Sequence, residues 1–190
     1  MNMLRQSLAG LWLLLSFTVV FGLAYPLLMT GVGQVAFHDQ ANGSLVGLQG
    51  TDVGSSLIGQ EFTGAQWFHP RPSAASYDAL ASGGTDLGPD SPVLLRSIRA
   101  ARARIVQQDG VVPAQVPPDA VTSSASGLDP DISPAYADLQ VARVARARGI
   151  GVAEVQELVD DHTQGRVLGF LGEPRVDVLE LNLALARLGR

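Results

Sequence analysis

The three histidines of this 190-residue chain, His38, His69 and His162, are candidates for acid–base or metal chemistry. No two of them have the i, i+4 spacing that lets one helix present two imidazoles to a metal. His69 lies in WFHPRPSA, two residues before Arg71, and such a pair could transfer a proton or contact a ligand. The alternative is a rigid, proline-flanked loop in which both side chains hydrogen-bond backbone carbonyls, and this is our interpretation.

Two further motifs could bind ions. The run SGGTDLG, with Ser82, Gly83 and Gly84, could hold a phosphate, because consecutive backbone amides in glycine-rich turns form anion-binding concavities. It contains no lysine and no helix start follows in register, so we interpret it as an ordinary turn. In GLDPDISP, Asp129 and Asp131 offer oxygen ligands for a hard cation, but the spacing falls far short of a calcium loop. An aspartate-capped turn ahead of the next helix explains them better.

Charged groups on the predicted helices and turns have simpler interpretations. Glu173 and Arg175 flank Pro174 in a turn before the last helix, where a local ion pair is expected to contribute little to stability. Arginines recur along two helices and could bind an acidic partner, although a solvated face is the default interpretation. These arginines are Arg96, Arg99, Arg102, Arg143, Arg146 and Arg148.

The composition excludes several kinds of chemistry. The chain has no cysteine and no lysine, since all 13 basic residues are arginine. Thiol nucleophiles, cysteine-ligated metals, a Walker A lysine and Schiff-base chemistry therefore cannot come from this polypeptide. No G-x-S-x-G elbow is present, so we predict no catalytic residue, no metal site and no cofactor of its own. The formal net charge of -5 argues against a nucleic-acid partner.

An apolar segment must position whatever follows it. Residues Leu8 to Met29 carry no charge and are long enough to cross a bilayer, which makes lipid a predicted partner. Arg5 precedes the span and the next charge is Asp39, so the positive-inside rule places the N-terminus in the cytoplasm. A cleaved signal peptide is the rival interpretation, but the run is too long and lacks a small-x-small exit. We also expect Pro26 to bend the helix.

The remaining sequence predicts one α+β domain with several helices and a small sheet. We therefore divide the chain into an anchor with a cytoplasmic tip (residues 1–33) and an extracytoplasmic domain (residues 34–190). Ser91-Pro92 and Ser133-Pro134 are helix starts, ended by Gly110 and Gly149, and Asp177 caps a last helix. A third helix runs from Val152 to His162, with Val152, Val155, Leu158 and Val159 on one stripe. Short strands are predicted at Val46–Leu48 and Leu57–Ile58, and a buried strand at RVLGFLG, residues 166–172.

The order of several blocks carries a family resemblance. They are QANGSL, GSSLIGQEF, WFHPRPSA, YDALASGGTDLGP, VTSSASGLDPDISP, YADLQVARVARARG and LGEPRVDVLELNLAL. The chain resembles the C subunit of the bacterial Kdp potassium-transporting P-type ATPase over nearly its whole length. The resemblance implies a multisubunit pump in the bacterial inner membrane, with a channel-like subunit that binds potassium and a P-type subunit that hydrolyses ATP. This chain lacks a D-K-T-G-T phosphorylation loop and is not the hydrolytic subunit.

The resemblance further implies a non-catalytic accessory subunit, required for assembly and acting as a catalytic chaperone that promotes ATP use. ATP and potassium would be used by the complex and not by this chain alone. Candidate partner-contact or structural residues are His69, Arg71, Ser82, Gly83, Gly84, Asp129, Glu173 and Arg175. Two other functions stay open from the residues, a membrane-anchored extracytoplasmic hydrolase and a cytoplasmic nucleotide-binding regulator.

Overall fold

The computed structural model describes residues 3–188 and divides the chain into two compact units, between Leu45 and Val46. The first unit is helical throughout most of its length. Its elements are α1 (Met3–Val19), a π-helical segment (Val20–Ala24), α2 (Tyr25–Ala36) and the single-turn α3 (His38–Ala41).

The π-helical segment lies directly before Pro26. Tyr25 donates its backbone N–H to the carbonyl of Val20, five residues back instead of four. Pro26 has no N–H to give, and its ring would otherwise crowd the carbonyl of Gly22 one turn earlier. The wider turn lets the helix continue past the proline. Where the sequence led us to expect a bend at Pro26, the structure shows a shift in hydrogen-bond register just before it.

The helix from Met3 to Ala36 is long and apolar enough to cross a membrane, and its most apolar window is fully exposed. At 1.5 Å per residue its 34 residues extend for about 50 Å, more than the roughly 30 Å of a hydrocarbon core. Trp12 and Leu27 are 68% and 70% exposed, and Arg5 is the single formal charge in the helix. Such a surface is stable only in an apolar environment, as expected of a membrane anchor.

The second unit is the α+β part that the sequence predicts. Ser91 and Ser133 cap their helices by accepting hydrogen bonds from Leu94 N and Tyr136 N, and Gly110 and Gly149 end them in left-handed conformations. Both predicted helix starts and both stops are confirmed. The helices are α4 (Pro92–Asp109), α5 (Pro134–Arg148), α6 (Val152–Asp161) and α7 (Val178–Leu188).

Two small antiparallel sheets accompany these helices. β1 (Leu45–Leu48) pairs with β2 (Thr51–Ser55), which confirms the strand predicted at Val46–Leu48. The second sheet has the order β3-β5-β4, formed by Asp131–Ile132, Arg175–Asp177 and Thr163–Gln164. The strand predicted at Leu57–Ile58 is wrong: these residues lie in and after a turn, and Leu57 is 61% exposed.

The core of the second unit surrounds α5, which packs against α4, α6 and β5. Phe68 joins this core from an irregular segment and is completely buried. Burial of its ring supplies the free energy that orders a loop rich in Gly and Pro, as its aromatics predicted. Val152 was placed on the buried stripe of α6 but is 57% exposed. Fully buried large aliphatic residues of the core are Val144, Val155, Val159, Val176, Leu181 and Leu185.

The prediction of a buried strand at residues 166–172 is wrong. These residues form an exposed turn in which Val167 and Leu171 make an isolated antiparallel bridge. An apolar run of this length satisfies the criteria for a buried strand, but Gly169 and Gly172 adopt positive φ and break the extended backbone.

Asp177 connects β5 to α7 and is 5% exposed. Its Oδ1 accepts a hydrogen bond of 2.8 Å from Glu180 N, which confirms the predicted cap of the last helix. Burial raises the pKa of Asp177 to about 6, with the charges of Glu180 and Asp131 adding to the rise and the Glu180 N–H opposing it. Asp131 is its direct partner in the β3–β5 register. Between about pH 4 and pH 6 the folded state therefore holds a proton on Asp177 that the unfolded chain has released.

The Asp177→Asn variant should reveal this proton. Because the folded pKa exceeds the unfolded value of 3.8, stability contributed by Asp177 is greatest below about pH 4 and declines as the pH rises to about 6. Asparagine caps a helix equally well and cannot ionise. We measure the free energy of unfolding of both proteins in urea at pH 4 and at pH 7.5. The variant-minus-wild-type difference should be on the order of 2–3 kcal/mol more favourable to the variant at pH 7.5 than at pH 4. An unchanged difference at the two pH values would contradict the assignment.

Candidate functional site

A polar cleft of about 440 Å³ lies between the segment containing residues 61–77 and helix α4. Its lining combines aromatic and prolyl rings with charged and hydroxyl groups. The polar or ionisable lining residues are Glu61, Thr63, His69, Ser73, Tyr77, Arg104, Gln108 and Tyr136.

The wall of the cleft is held by a buried arginine. The side chain of Arg143, on α5, is 5% exposed, and its Nε donates to Asp109 Oδ1 at 2.6 Å. Its Nη1 donates to the carbonyls of Ala65 and Trp67 at 2.7 and 2.9 Å, and its Nη2 to Gln140 Oε1 at 2.7 Å. One guanidinium therefore joins α5, the end of α4 and the irregular segment. The interpretation of Arg143 as part of a solvated arginine face is wrong.

Two side-chain amides hold the next two backbone units of the same segment. Gln140 Oε1 accepts from His69 N at 2.7 Å, and Gln140 Nε2 donates to the His69 carbonyl at 3.2 Å. Asn182, on α7, makes the same pair of bonds with Phe68, each at 2.9 Å. The amides replace the partners that a β-strand would supply, and both side chains are buried because their own polar atoms are satisfied.

Two ionisable groups of the cleft, His69 and Tyr77, are neutral at neutral pH. Burial lowers the pKa of His69, the positive charge of Arg143 lowers it further, and a hydrogen bond with Gly64 O at 2.9 Å opposes both. The neutral imidazole thus donates from Nε2. Burial raises the pKa of Tyr77 to about 12, and its hydroxyl donates to the carbonyl of Arg71. Hydrogen-bonding groups therefore line the cleft, with Glu61 and Arg104 as its charged residues.

The structure separates His69 from Arg71, which the sequence analysis had considered as a pair. Arg71 Nη1 lies 2.7 Å from Asp129 Oδ2, in a half-buried ion pair. Asp129 uses its other oxygen to accept from Asp131 N at 3.0 Å, the turn that the sequence predicts. The guanidinium is not fully matched, because Arg71 Nε is buried without a partner in the described structure.

The glycine-rich residues lie against a second loop. Gly83 N donates to Ser126 O at 2.8 Å, and Ser82 Oγ donates to the same carbonyl at 3.2 Å. A Cβ at Gly84 would lie 3.2 Å from Ala125 O. The close approach of the two loops explains the small residues, and the Gly83 amide is used by a carbonyl rather than offered to an anion.

Glu173 and Arg175 lie apart from this loop contact and do not pair with each other. Glu173 Oε2 is 2.7 Å from Arg166 Nη2, and Arg175 Nε is 3.1 Å from Asp131 Oδ2. The second pair crosses from β5 to β3, so it connects two strands. Both arginines are about half exposed, and the pairs are expected to contribute little to stability.

Sequence reasoning missed Asp109, Gln140 and Asn182, which help to order the cleft wall, and it assigned Arg143 to a solvated face. A signal was present on α5, where Tyr136, Gln140 and Arg143 recur at spacings of four and three on one helical face. Polar residues on a buried stripe indicate specific hydrogen bonds, since such groups are buried only when paired. Asp109, 34 positions earlier, could not be assigned as the partner from spacing.

The two units together define a class of protein. Within residues 3–188, one candidate transmembrane helix near the N-terminus is followed by an α+β domain. The class is a membrane-anchored protein with one extramembranous domain.

Comparison with known proteins identifies the family. The model of the family KdpC, described as K+-transporting ATPase, c chain, matches residues 7–187. A potassium-transporting ATPase KdpC subunit from Kineococcus radiotolerans is 55% identical over 186 residues, covering 97% of this chain and 94% of the relative. Subunits of the same name from Mycobacterium tuberculosis H37Rv and Methylibium petroleiphilum are each 54% identical, covering 98% and 97% of this chain and 100% and 96% of the relatives. The chain belongs to the KdpC family, and the resemblance seen in the sequence is confirmed.

Breaking the buried ion pair should destabilise the domain. Asp109→Ala leaves the charge of Arg143 buried without its partner, a change that costs about 3–5 kcal/mol. Arg166→Gln removes an exposed pair as the matched control and should cost less than about 1 kcal/mol. Urea unfolding of the full chain in mild detergent, followed by tryptophan fluorescence, measures both losses in free energy of unfolding. Equal losses in the two variants would contradict the assigned role of the pair.

Proposed function

We propose that this chain is a non-catalytic accessory subunit of an ATP-driven potassium uptake complex, needed for assembly and for efficient ATP use. The match over residues 7–187 carries the proposal, because it covers the anchor and the domain together. The relatives are named as subunits of a potassium-transporting ATPase. Expected partners are a channel-like, potassium-binding subunit and a P-type, ATP-hydrolysing subunit in a bacterial inner membrane. ATP and potassium are used by the complex.

The orientation follows from charge. Arg5 lies at the N-terminal end of the apolar helix, and the next charge is Asp39, beyond its other end. The positive-inside rule therefore favours a cytoplasmic N-terminus and an external domain. An external domain cannot contact cytoplasmic ATP. Its effect on ATP use is then a coupling free energy, transmitted through the membrane-embedded subunits.

The domain and the anchor suggest two different contacts. The formal net charge of -5 favours a location near the external mouth of the channel-like subunit, where it modestly concentrates potassium. In the anchor, Ala9, Gly10 and Gly22 are small residues that allow close approach of partner helices. A Cβ added at Gly10 would meet no atom within 4 Å, so that surface is open.

Cysteine labelling tests the orientation, and the absence of native cysteine removes background. Ala103→Cys places a thiol on the exposed face of α4, and Gln6→Cys places one at the start of the anchor. A membrane-impermeant maleimide should label Ala103→Cys in intact spheroplasts and Gln6→Cys only after permeabilisation. The reverse pattern would place the domain inside and favour a cytoplasmic regulator.

Exchange of the anchor tests whether this helix does more than tether. Residues 1–36 are replaced by an unrelated single-span helix of the same orientation, so that the domain stays at the membrane. Because small-residue packing is lost, co-purification of the other subunits in mild detergent should fall at least tenfold. A full-length chain carrying Leu80→Asn, a substitution at an exposed leucine outside the anchor, is the control. If the chain with the foreign helix recovers its partners as well as wild type does, the native helix only tethers the domain and does not bind the other subunits.

A further inference from the structure

The exposed face of helix α4 carries only positive charge. Four exposed arginines lie on it, spaced three, three and two residues apart: Arg96, Arg99, Arg102 and Arg104. Within Pro92–Asp109 no other exposed residue is charged, because the one carboxylate, Asp109, is buried against Arg143. Asp90 precedes the helix and its cap. Since the whole chain has a formal net charge of -5, its acidic groups are concentrated elsewhere.

The arginines of α4 also differ from most others of the domain in their partners. Four arginines outside α4 pair with carboxylates: Arg71, Arg143, Arg166 and Arg175. Arg148 lies 4.3 Å from the centroid of the Trp67 ring and donates to two backbone carbonyls. Arg146 and Arg187 are unpaired but lie on different helices, α5 and α7. Within residues 3–188 no ion pair involves an arginine of α4.

This clustering is unfavourable for the isolated chain. Arg96, Arg99 and Arg102 follow one another at i, i+3 spacing, where neighbouring like charges repel and destabilise a helix. A solvated helix face ordinarily mixes both signs of charge, so that pairs one turn apart support the helix. No glutamate is present in α4 to form such pairs. An anionic surface held against the helix would relieve the repulsion.

The anchor keeps one anionic surface, the phospholipid bilayer, within reach of the domain. The helix from Met3 to Ala36 tethers the chain, and a tether gives even a weak surface attraction a high effective concentration. Guanidinium groups match phosphate oxygens in a bidentate geometry. Val93 and Leu95, 50% and 42% exposed, lie among the arginines, and apolar side chains beside cations are typical of helices at a membrane interface. These features favour lipid over an acidic protein.

We propose that α4 docks on the bilayer surface through Arg96, Arg99 and Arg102, which bind the phosphates of anionic phospholipids. The fourth arginine, Arg104, lines the polar cleft. The contact needs the anchor and no other subunit, so it is independent of the function proposed above. Because attraction to a charged surface decays within about 8 Å at physiological ionic strength, the contact is sensitive to salt. Headgroups lie in water, so a thiol at Ala103 stays open to an impermeant maleimide.

A polarity-sensitive dye on α4 tests this contact in the full chain. Ala100→Cys, on the exposed face, supplies the only thiol. The labelled chain is reconstituted into vesicles of phosphatidylcholine, with or without phosphatidylglycerol. The dye emission should shift to the blue only in vesicles that contain phosphatidylglycerol, and about 0.5 M salt should reverse the shift. Equal emission in both kinds of vesicle would overturn the proposal.

Two variants of equal net charge show which arginines are responsible. The α4 variant combines Arg96→Gln, Arg99→Gln and Arg102→Gln and should lose the blue shift, while its thermal unfolding midpoint is kept because glutamine is a good helix former. The control variant removes three exposed arginines outside α4: Arg146→Gln, Arg166→Gln and Arg187→Gln. It should retain the shift. A shift retained in the α4 variant, or lost in both variants, would contradict the assignment.

The same dye identifies an acidic protein surface as the occupant if lipid is not. The labelled chain is placed in phosphatidylcholine vesicles alone or together with the other subunits of the complex. Unshifted emission in both preparations is the result expected for lipid docking. A blue shift that depends on the other subunits and not on phosphatidylglycerol would assign the arginine face to protein and overturn the proposal.

Discussion

The buried guanidinium of Arg143 is the interaction on which the extramembranous domain depends. Residues 56–91 contain no helix or strand in the described structure, so their backbone groups need partners from elsewhere. Arg143 donates to the carbonyls of Ala65 and Trp67 while its Nε pairs with Asp109 on α4. The side-chain amides of Gln140 and Asn182 bond the backbone of His69 and Phe68. These bonds fix residues 65–69 of the irregular segment beside the cleft.

This internal use of polar groups agrees with an accessory role. His69, Arg71, Ser82 and Asp129, which the sequence offered as chemical groups, hydrogen-bond or pair within the domain. Exposed apolar side chains are concentrated at the helix from Met3 to Ala36 and at the turn from Val167 to Leu171. The helix is suited to association with lipid or with helices of other subunits. Family membership places the chain among the subunits of potassium-transporting ATPases.

Local sequence signals predicted much of the secondary structure. Contacts between residues far apart in the sequence could not be predicted. Ser91-Pro92 and Ser133-Pro134 located two helices, because caps act within one turn. The apolar run at residues 166–172 failed as a predictor, since a buried strand and an exposed hairpin share the same composition, and the left-handed backbone at Leu168 is not encoded by that run alone. Arg71 and Asp129 are 58 positions apart, so spacing could not pair them. The block order of the whole chain, by contrast, identified the family.

The most direct test of the accessory role is ATP hydrolysis by the purified complex with and without this chain, measured against ATP concentration in the presence of potassium. The account predicts that the complex containing the chain is recovered intact and hydrolyses ATP with a lower KM. Equal yield, equal KM and equal kcat in the complex that lacks the chain would contradict the account.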